Sequence, residues 1–149
     1  MIKHIDVIVP CYNEESSLDR FWKESDEAFS QIEGYSFRYI FIDDGSSDET
    51  LKKIRQLAAL QDSAKADAPG ASAGSAKFTP QISYISFSRN FGKEAAMYAG
   101  LQAAKGDFAV IMDADLQHPP QLVAEMIRIV EETGCDSCAA RRVSRKGEP

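Results

Sequence analysis

Asp113, Asp115 and Gln117 stand at alternate positions just after the apolar run Val110-Ile-Met112, and Pro119 and Pro120 close the stretch. Side chains two apart in an extended chain share a direction, so the two carboxylates can converge, with Gln117 joining them if the extension persists. Hard oxygen donors grouped in this way suit Mg²⁺ or Mn²⁺, which take one or two carboxylates and leave other positions to water and phosphate. A solvated turn would also use aspartates, because they bond their own backbone. The elements that position these residues decide between the two readings.

Ile5-Asp-Val-Ile-Val-Pro10 reads as a buried strand closed by a proline, followed by the polar loop Cys11-Tyr-Asn-Glu-Glu-Ser-Ser17 and a helix from about Glu15 to Ile32. Phe37-Arg-Tyr-Ile-Phe-Ile42 is a second strand, ending in Asp43-Asp-Gly-Ser-Ser-Asp-Glu-Thr50. Ser46 or Ser47 is expected to cap the next helix, whose apolar face, Leu51, Ile54, Leu57 and Ala58, runs to about Leu60. Periodicity then vanishes, and 61–80 reads as a flexible surface insertion within a single 149-residue domain.

Ile82-Ser-Tyr-Ile-Ser-Phe87 is the third strand, Ser88-Arg-Asn-Phe-Gly-Lys93 a polar turn, and Glu94–Ala104 a helix that Gly106 should terminate. Arg89 and Lys93 flank that helix start, where anions can be held; for Lys93 alone, a solvated cap is the simpler reading. Asp107–Met112 is the fourth strand. Pro119 and Pro120 should open the following helix, with Leu122, Met126, Ile129 and Val130 as its apolar stripe and Gly134 as its stop. Cys135–Ala140 is expected to add a fifth strand before Arg141 and Arg142.

Strands alternating with helices predict an α/β fold, a mainly parallel sheet with helices on both faces. In such a sheet the strand ends share one edge. Tyr12-Asn-Glu14, Asp43-Asp44 and Asp113-Ala-Asp115 would then meet in one crevice, and three independent solvated turns explain that convergence poorly.

Composition narrows the function classes. A formal charge of −6 argues against a nucleic-acid partner, although Arg141, Arg142, Arg145 and Lys146 form a local basic end. Three cysteines give no disulfide framework, which fits a reducing, cytoplasmic setting. Cys11, Cys135 and Cys138 read as small core residues rather than as a metal or redox group. No apolar run approaches the ~18 to 20 residues that cross a bilayer.

Taken in order, Val9-Pro-Cys-Tyr-Asn-Glu14, Ile42-Asp-Asp-Gly-Ser-Ser-Asp-Glu-Thr50 and Met112-Asp-Ala-Asp-Leu-Gln-His-Pro-Pro120 closely resemble the family-2 inverting glycosyltransferases with a GT-A, Rossmann-like fold. The resemblance is to the polyprenyl-phosphate sugar transferases of the dolichol-phosphate mannose synthase type. Arg89-Asn-Phe-Gly-Lys93 and Arg142-Val-Ser-Arg-Lys-Gly-Glu148 also look like the bacterial bactoprenol glucosyltransferase branch.

The resemblance implies transfer of a sugar from a UDP-sugar, or from GDP-mannose, to a polyprenyl phosphate at the cytoplasmic membrane face. Pro10, Tyr12 and Glu14 would line base and ribose, and Asp43 or Asp44 would recognise the base. Asp113, Ala114 and Asp115 would border the diphosphate, with Asp113 and Asp115 at the reacting centre. Asp113, Asp115 and Gln117 would hold Mg²⁺ or Mn²⁺, and Arg142, or else Arg141, would bind phosphate. Members of the family normally continue past this basic loop with acceptor-binding segments, so the chain is expected to be the donor-binding part of a longer protein and to transfer sugar poorly by itself.

Transfer to a saccharide hydroxyl and an inactive nucleotide-sugar-binding module are the alternatives. A phosphoacceptor signalling domain would carry its acid pair after the first strand rather than the second. A nucleotidyltransferase would want a glycine-rich loop where Cys11-Tyr-Asn-Glu14 stands.

Overall fold

The computed structural model describes residues 1–66 and 81–141. Four strands, β1 (Lys3–Cys11), β2 (Tyr35–Asp43), β3 (Gln81–Ser86) and β4 (Phe108–Ile111), form one sheet in the order β3-β2-β1-β4. Every pairing is parallel. The helices between and after them are α1 (Leu18–Phe29), α2 (Thr50–Ala66), α3 (Lys93–Ala103) and α4 (Leu122–Thr133).

The alternation of side chains along the two central strands builds two cores. Ile5, Val7, Val9 and Cys11 of β1 and Phe37, Tyr39 and Phe41 of β2 face one way, against Leu18, Phe21 and Phe29 of α1, Ile54 and Leu57 of α2, and Val123 of α4. Ile8, Ile40 and Ile42 face the other way, against Ala96 of α3. Helices therefore cover both faces, three on one and α3 alone on the other. α3 packs close to the sheet because Gly100 has no side chain: a Cβ there would lie 2.3 Å from Ile8 Cγ2.

The larger core is aromatic. Phe29 stacks on Phe37 with ring centroids 4.4 Å apart, and Phe21 meets Tyr39 and Phe41 edge to face. The buried Tyr39 hydroxyl donates to Ser25 Oγ at 2.9 Å, and Ser25 Oγ donates to the Trp22 carbonyl.

At the N-terminal edge of the sheet, Asp6 and Arg38 are register partners and form a two-pronged ion pair at 2.7 and 2.9 Å. The same buried carboxylate accepts the N–H groups of Lys105 and Gly106, pinning the α3–β4 connection to β1. Burial by itself pushes the Asp6 carboxyl up. The Arg38 guanidinium and the two N–H groups more than offset this and hold it below the ordinary carboxylate range.

Several local expectations are corrected. α1 begins at Leu18 and ends at Phe29, inside the expected 15–32, because Glu14 to Ser17 form a turn closed on the Glu14 carbonyl. α2 runs past Leu60 to Ala66, and Gln61 is buried with its Oε1 accepting the Ile82 N–H at 2.8 Å. The rest of the expected insertion, 67–80, lies outside the described residues. Ser46 and Ser47 do not cap α2; Asp48 accepts the Thr50 N–H at 2.9 Å instead.

Helix α3 ends at Ala103, and Gly106 serves close approach rather than helix termination: a Cβ there would lie 2.6 Å from the His4 carbonyl oxygen. Pro119 and Pro120 sit in the turn before α4, their carbonyls accepting the N–H groups of Leu122 and Val123. Cys135–Ala140 is not a strand. With Asp136 and Ser137 at its centre and no β-branched residue, it has little to bury in a sheet. Cys11 is in the core as expected, whereas Cys135 and Cys138 are only half-buried.

Candidate functional site

The strand order reverses between β1 and β4: from β1 the chain proceeds outward to β2 and β3, then crosses back to β4 on the other side. At such a reversal the loops after the two strands part and leave a crevice at their C-terminal ends. A cavity of about 330 Å³ lies there, lined by Pro10 at the end of β1, Tyr12 and Glu14 after it, Asp44 after β2, Asn90, Gly92 and Lys93 before and in α3, and Asp113 and Asp115 after β4.

The loops around the cavity are fastened one to the next. Asn13, with φ of 51°, donates its N–H to Ser46 Oγ at 3.0 Å and accepts the Ser47 N–H at 2.9 Å through Oδ1. The Glu14 N–H donates to Thr50 Oγ1 at 2.8 Å. These bonds join the loop after β1 to the loop after β2, and they occupy the two serines that were expected to cap α2.

Asp44 makes the next joint. Its buried carboxylate accepts Asn90 Nδ2 at 3.2 Å, the Phe91 N–H at 2.7 Å and the Gly92 N–H at 3.1 Å. Gly45 beside it has φ of +69°, and a Cβ there would lie 2.3 Å from the Arg89 carbonyl carbon. The turn therefore requires glycine twice over, for its backbone conformation and for the closeness of the neighbouring loop. Asp43 is also buried, but its side chain turns to the Ser46 N–H at 3.4 Å and does not line this cavity.

The last joint is an ion pair, Lys93 Nζ to Asp113 Oδ1 at 2.7 Å, which links the start of α3 to the end of β4. Lys93 was expected to be a solvated cap; it stands in the cavity wall instead. Its signal in the sequence was its place at a helix start, where the macrodipole disfavours a cation.

Beyond Asp113 the extended chain does not persist. Ala114 and Asp115 form a turn, and Leu116 adopts φ of +58°. A leucine in that region is strained, and its half-buried packing against the larger core together with the Gln117 N–H to Asp115 Oδ1 bond at 3.1 Å holds it there. Asp113 and Asp115 still reach the same cavity. Ala114 is buried in the core, Gln117 is exposed and does not line this cavity, and Arg142 lies outside the described residues. Arg141 is exposed.

The sequence reading named Pro10, Tyr12, Glu14, Asp44, Asp113 and Asp115, and the fold brings these six together. It missed Asn90, Gly92, Lys93 and Ala96 as wall residues, since their proximity arises only from the β3–α3 connection. Cys11 also borders the cavity with its thiol buried; burial first, then the carboxylates of Glu14, Asp43 and Asp113, push that thiol far above its ordinary value.

Among the described residues the wall holds four carboxylates, Glu14, Asp44, Asp113 and Asp115, and one cation, Lys93. Tyr12, 49% exposed, presents an aromatic ring at the mouth. Such a wall suits a ligand that brings its own cation or has one recruited for it, with a flat group to lie on Tyr12.

Comparison with known proteins gives the chain a family. The model of the family described as Glycosyl transferase family 2 matches residues 6–149. The chain belongs to glycosyl transferase family 2. This family 2 domain is 40% identical over 144 residues to CsbB of Bacillus subtilis (strain 168), provisionally named a glycosyltransferase, covering 97% of this chain and 37% of that protein. It is 34% identical over 141 residues to the prophage bactoprenol glucosyl transferase homolog of Escherichia coli (strain K12), covering 95% of this chain and 40% of the relative.

Among solved structures, the mannosyltransferase PcManGT from Pyrobaculum calidifontis, in complex with GDP-Man and Mn²⁺, superposes with a TM-score of 0.63 at 20% identity. That match covers 87% of this chain and 33% of the other. It shows the fold, which is GT-A. The family 2 domain thus spans about two fifths of the length of the curated relatives it matches. Among the described residues no helix is long and apolar enough to cross a membrane.

Proposed function

We propose that this domain binds a nucleoside-diphosphate sugar, UDP-sugar in preference to GDP-mannose, and that its protein transfers the sugar with inversion to a polyprenyl phosphate at the cytoplasmic membrane face. The acid-lined cavity at the reversal of strand order carries the reading, because it gathers residues about a hundred positions apart onto one wall. The bactoprenol-related name of one relative, and the resemblance of Arg89-Asn-Phe-Gly-Lys93 to that branch, support the polyprenyl acceptor and the UDP donor.

In this reading Pro10, Tyr12 and Glu14 receive the base and ribose, and Asp43 or Asp44 recognises the base. Asp44 has its carboxylate committed to the Asn90–Gly92 loop, so recognition by Asp44 would be coupled to the position of that loop. Asp113, Ala114 and Asp115 border the diphosphate, and Arg142 adds a fork of donors to phosphate.

Asp113 and Asp115 on one wall fit Mg²⁺ or Mn²⁺, which need one or two carboxylates and complete their shell with phosphate and water. Among the described residues no three His, Cys, Asp or Glu side chains form a closed cage. In this reading substrate phosphate and water complete the shell that Asp113 and Asp115 begin, and Gln117, which does not line the cavity, would have to swing in to add a further oxygen. When bound, such an ion supplies Lewis-acid stabilisation of charge growing on the diphosphate leaving group.

The protein's own task is positional. The three joints between the four loops hold Tyr12, Glu14 and Asp113 in fixed relation, so the sugar–phosphate bond is presented in one orientation. A phosphate acceptor is already an anion at neutral pH and requires no general base; a saccharide hydroxyl would.

The test is to incubate the protein with radiolabelled UDP-glucose, UDP-N-acetylglucosamine or GDP-mannose and undecaprenyl phosphate, extract the lipid, and determine the anomeric configuration of the product. Label in the lipid with inversion is expected from the whole protein that carries this domain, and little or none from the 149-residue domain by itself. Label found only on water-soluble saccharides would overturn the acceptor assignment in favour of a hydroxyl acceptor.

A further inference from the structure

Among the described residues Lys93 is the one basic residue in the wall of an otherwise acidic cavity, and it is placed where helix energetics oppose it. It is the first residue of α3, at the positive end of the helix dipole, where an acid stabilises and a cation costs. Its side chain is 55% exposed, and its ammonium lies 2.7 Å from Asp113 Oδ1, whose side chain is 32% exposed. A pair so open to water contributes little to stability. Stability therefore does not explain why a lysine stands here.

The placement of its backbone is exact in a way that a surface pair would not need. Asp44 takes the N–H groups of Phe91 and Gly92 and the Asn90 amide, which fixes the entry into α3 immediately before Lys93. Gly45 lets the neighbouring backbone close on Arg89. Lys93 and Asp113 also line the adjoining groove of about 320 Å³, bounded by Met97, Ile111 and Met126, so the pair stands on the partition between the two spaces.

We propose that Lys93 is a phosphate-binding residue of the donor site, held in reserve on Asp113 until that carboxylate takes a divalent cation. The inference rests on the reading given under Proposed function and adds a residue and an order of events to it. Without ligand, the ammonium neutralises Asp113. Once Asp113 and Asp115 share a cation, the ammonium and that cation repel, and Lys93 turns from the carboxylate to the phosphate oxygens of the donor. There the dipole of α3 reinforces it, because both favour an anion at the same place. Asp44 acts as a positioning residue, setting where Lys93 starts from.

Two consequences separate this from a plain surface ion pair. Removing the ammonium should make the site a better cation site in the absence of nucleotide, and a poorer diphosphate site in its presence. The variants are Lys93→Met, similar in length and uncharged, and Lys93→Arg, which restores the charge. Mn²⁺ alone is titrated and followed by the paramagnetic resonance of the free ion; UDP, GDP and uridine are titrated calorimetrically with saturating Mn²⁺.

For Lys93→Met the expected result is Mn²⁺ binding several-fold tighter and diphosphate binding about tenfold weaker, with uridine unchanged and diphosphate binding largely recovered in Lys93→Arg. Unchanged diphosphate affinity in Lys93→Met, or Mn²⁺ affinity that does not rise, would overturn the assignment of Lys93 while leaving the donor site standing. Failure of the unaltered protein to bind either nucleotide or Mn²⁺ would overturn both.

Discussion

Asp44 accepts the Phe91 N–H at 2.7 Å, so a carboxylate at the end of the second strand governs the loop that enters α3. Its two oxygens receive three donors and its side chain is almost wholly buried. The acid that the sequence offers as a base-recognition residue is thereby also the joint between two walls of the cavity.

Asp44→Asn replaces one acceptor oxygen by an N–H₂ group that faces other donors. The expected cost is about 2 kcal/mol in urea unfolding, since a buried N–H loses its partner. Amide exchange at Phe91 and Gly92 should accelerate, while Val7 and Ile8 in the central strand keep their protection. Equal protection at Phe91 in both proteins would refute the joint.

The Asp6–Arg38 pair at the opposite edge of the sheet gives a stability effect unconnected with ligand. Arg38→Met leaves a buried carboxylate with only backbone donors and should cost about 3 kcal/mol, the low end for a buried pair because Arg38 is partly exposed. The pH dependence has a definite sign. Asp6 titrates lower in the folded chain than in the unfolded one, so its contribution is complete above the ordinary value of 3.8 and disappears as pH falls through the lower folded value. Urea midpoints measured from pH 6 downward should show an acid-side loss that is smaller in Arg38→Met than in the unaltered protein.

Cys11 borders the cavity but is 1% exposed, and its thiol is pushed far above the ordinary range by burial and by the nearby carboxylates. Because the thiolate is the reactive form, Cys11 should resist iodoacetamide at pH 8 in the folded protein. Cys135 and Cys138, half-buried, should react first. Peptide mapping after timed alkylation distinguishes the three, and early labelling of Cys11 would contradict the packing described.

Much of the site was legible because each strand announces its own end. Pro10 after the buried β-branched run Val7-Ile-Val9, Asp43-Asp44 after Ile42, and Asp113 after Met112 all mark the same edge once the sheet is parallel. What stayed hidden depends on distance along the chain. Nothing local pairs Lys93 with Asp113 twenty positions later, or commits Asp44 to Asn90.

The turn at Leu116 was hidden for another reason: leucine seldom takes positive φ, and only tertiary packing holds it there, so an extended Asp113-to-Gln117 run looked reasonable. Gly106 misled in the opposite sense, since a glycine just past a helix suggests a stop whereas here it admits the His4 carbonyl. The fifth strand was read from position in the alternation rather than from composition, and Cys135–Ala140 lacks the residues that would bury it.

The most direct measurement for the whole account is calorimetric titration of UDP and GDP into the protein, with and without Mn²⁺, beside an Asp115→Ala variant. Asp115 is exposed and lines the cavity, so its loss should leave the sheet and its helices intact and relax at most the Leu116 turn, whose Gln117 N–H it accepts. The account predicts Mn²⁺-dependent binding of UDP, weaker binding of GDP, and loss of the metal-dependent part in Asp115→Ala. Binding that is indifferent both to Mn²⁺ and to Asp115, or no binding of either nucleotide, would contradict the assignment of the cavity as a nucleotide-sugar site.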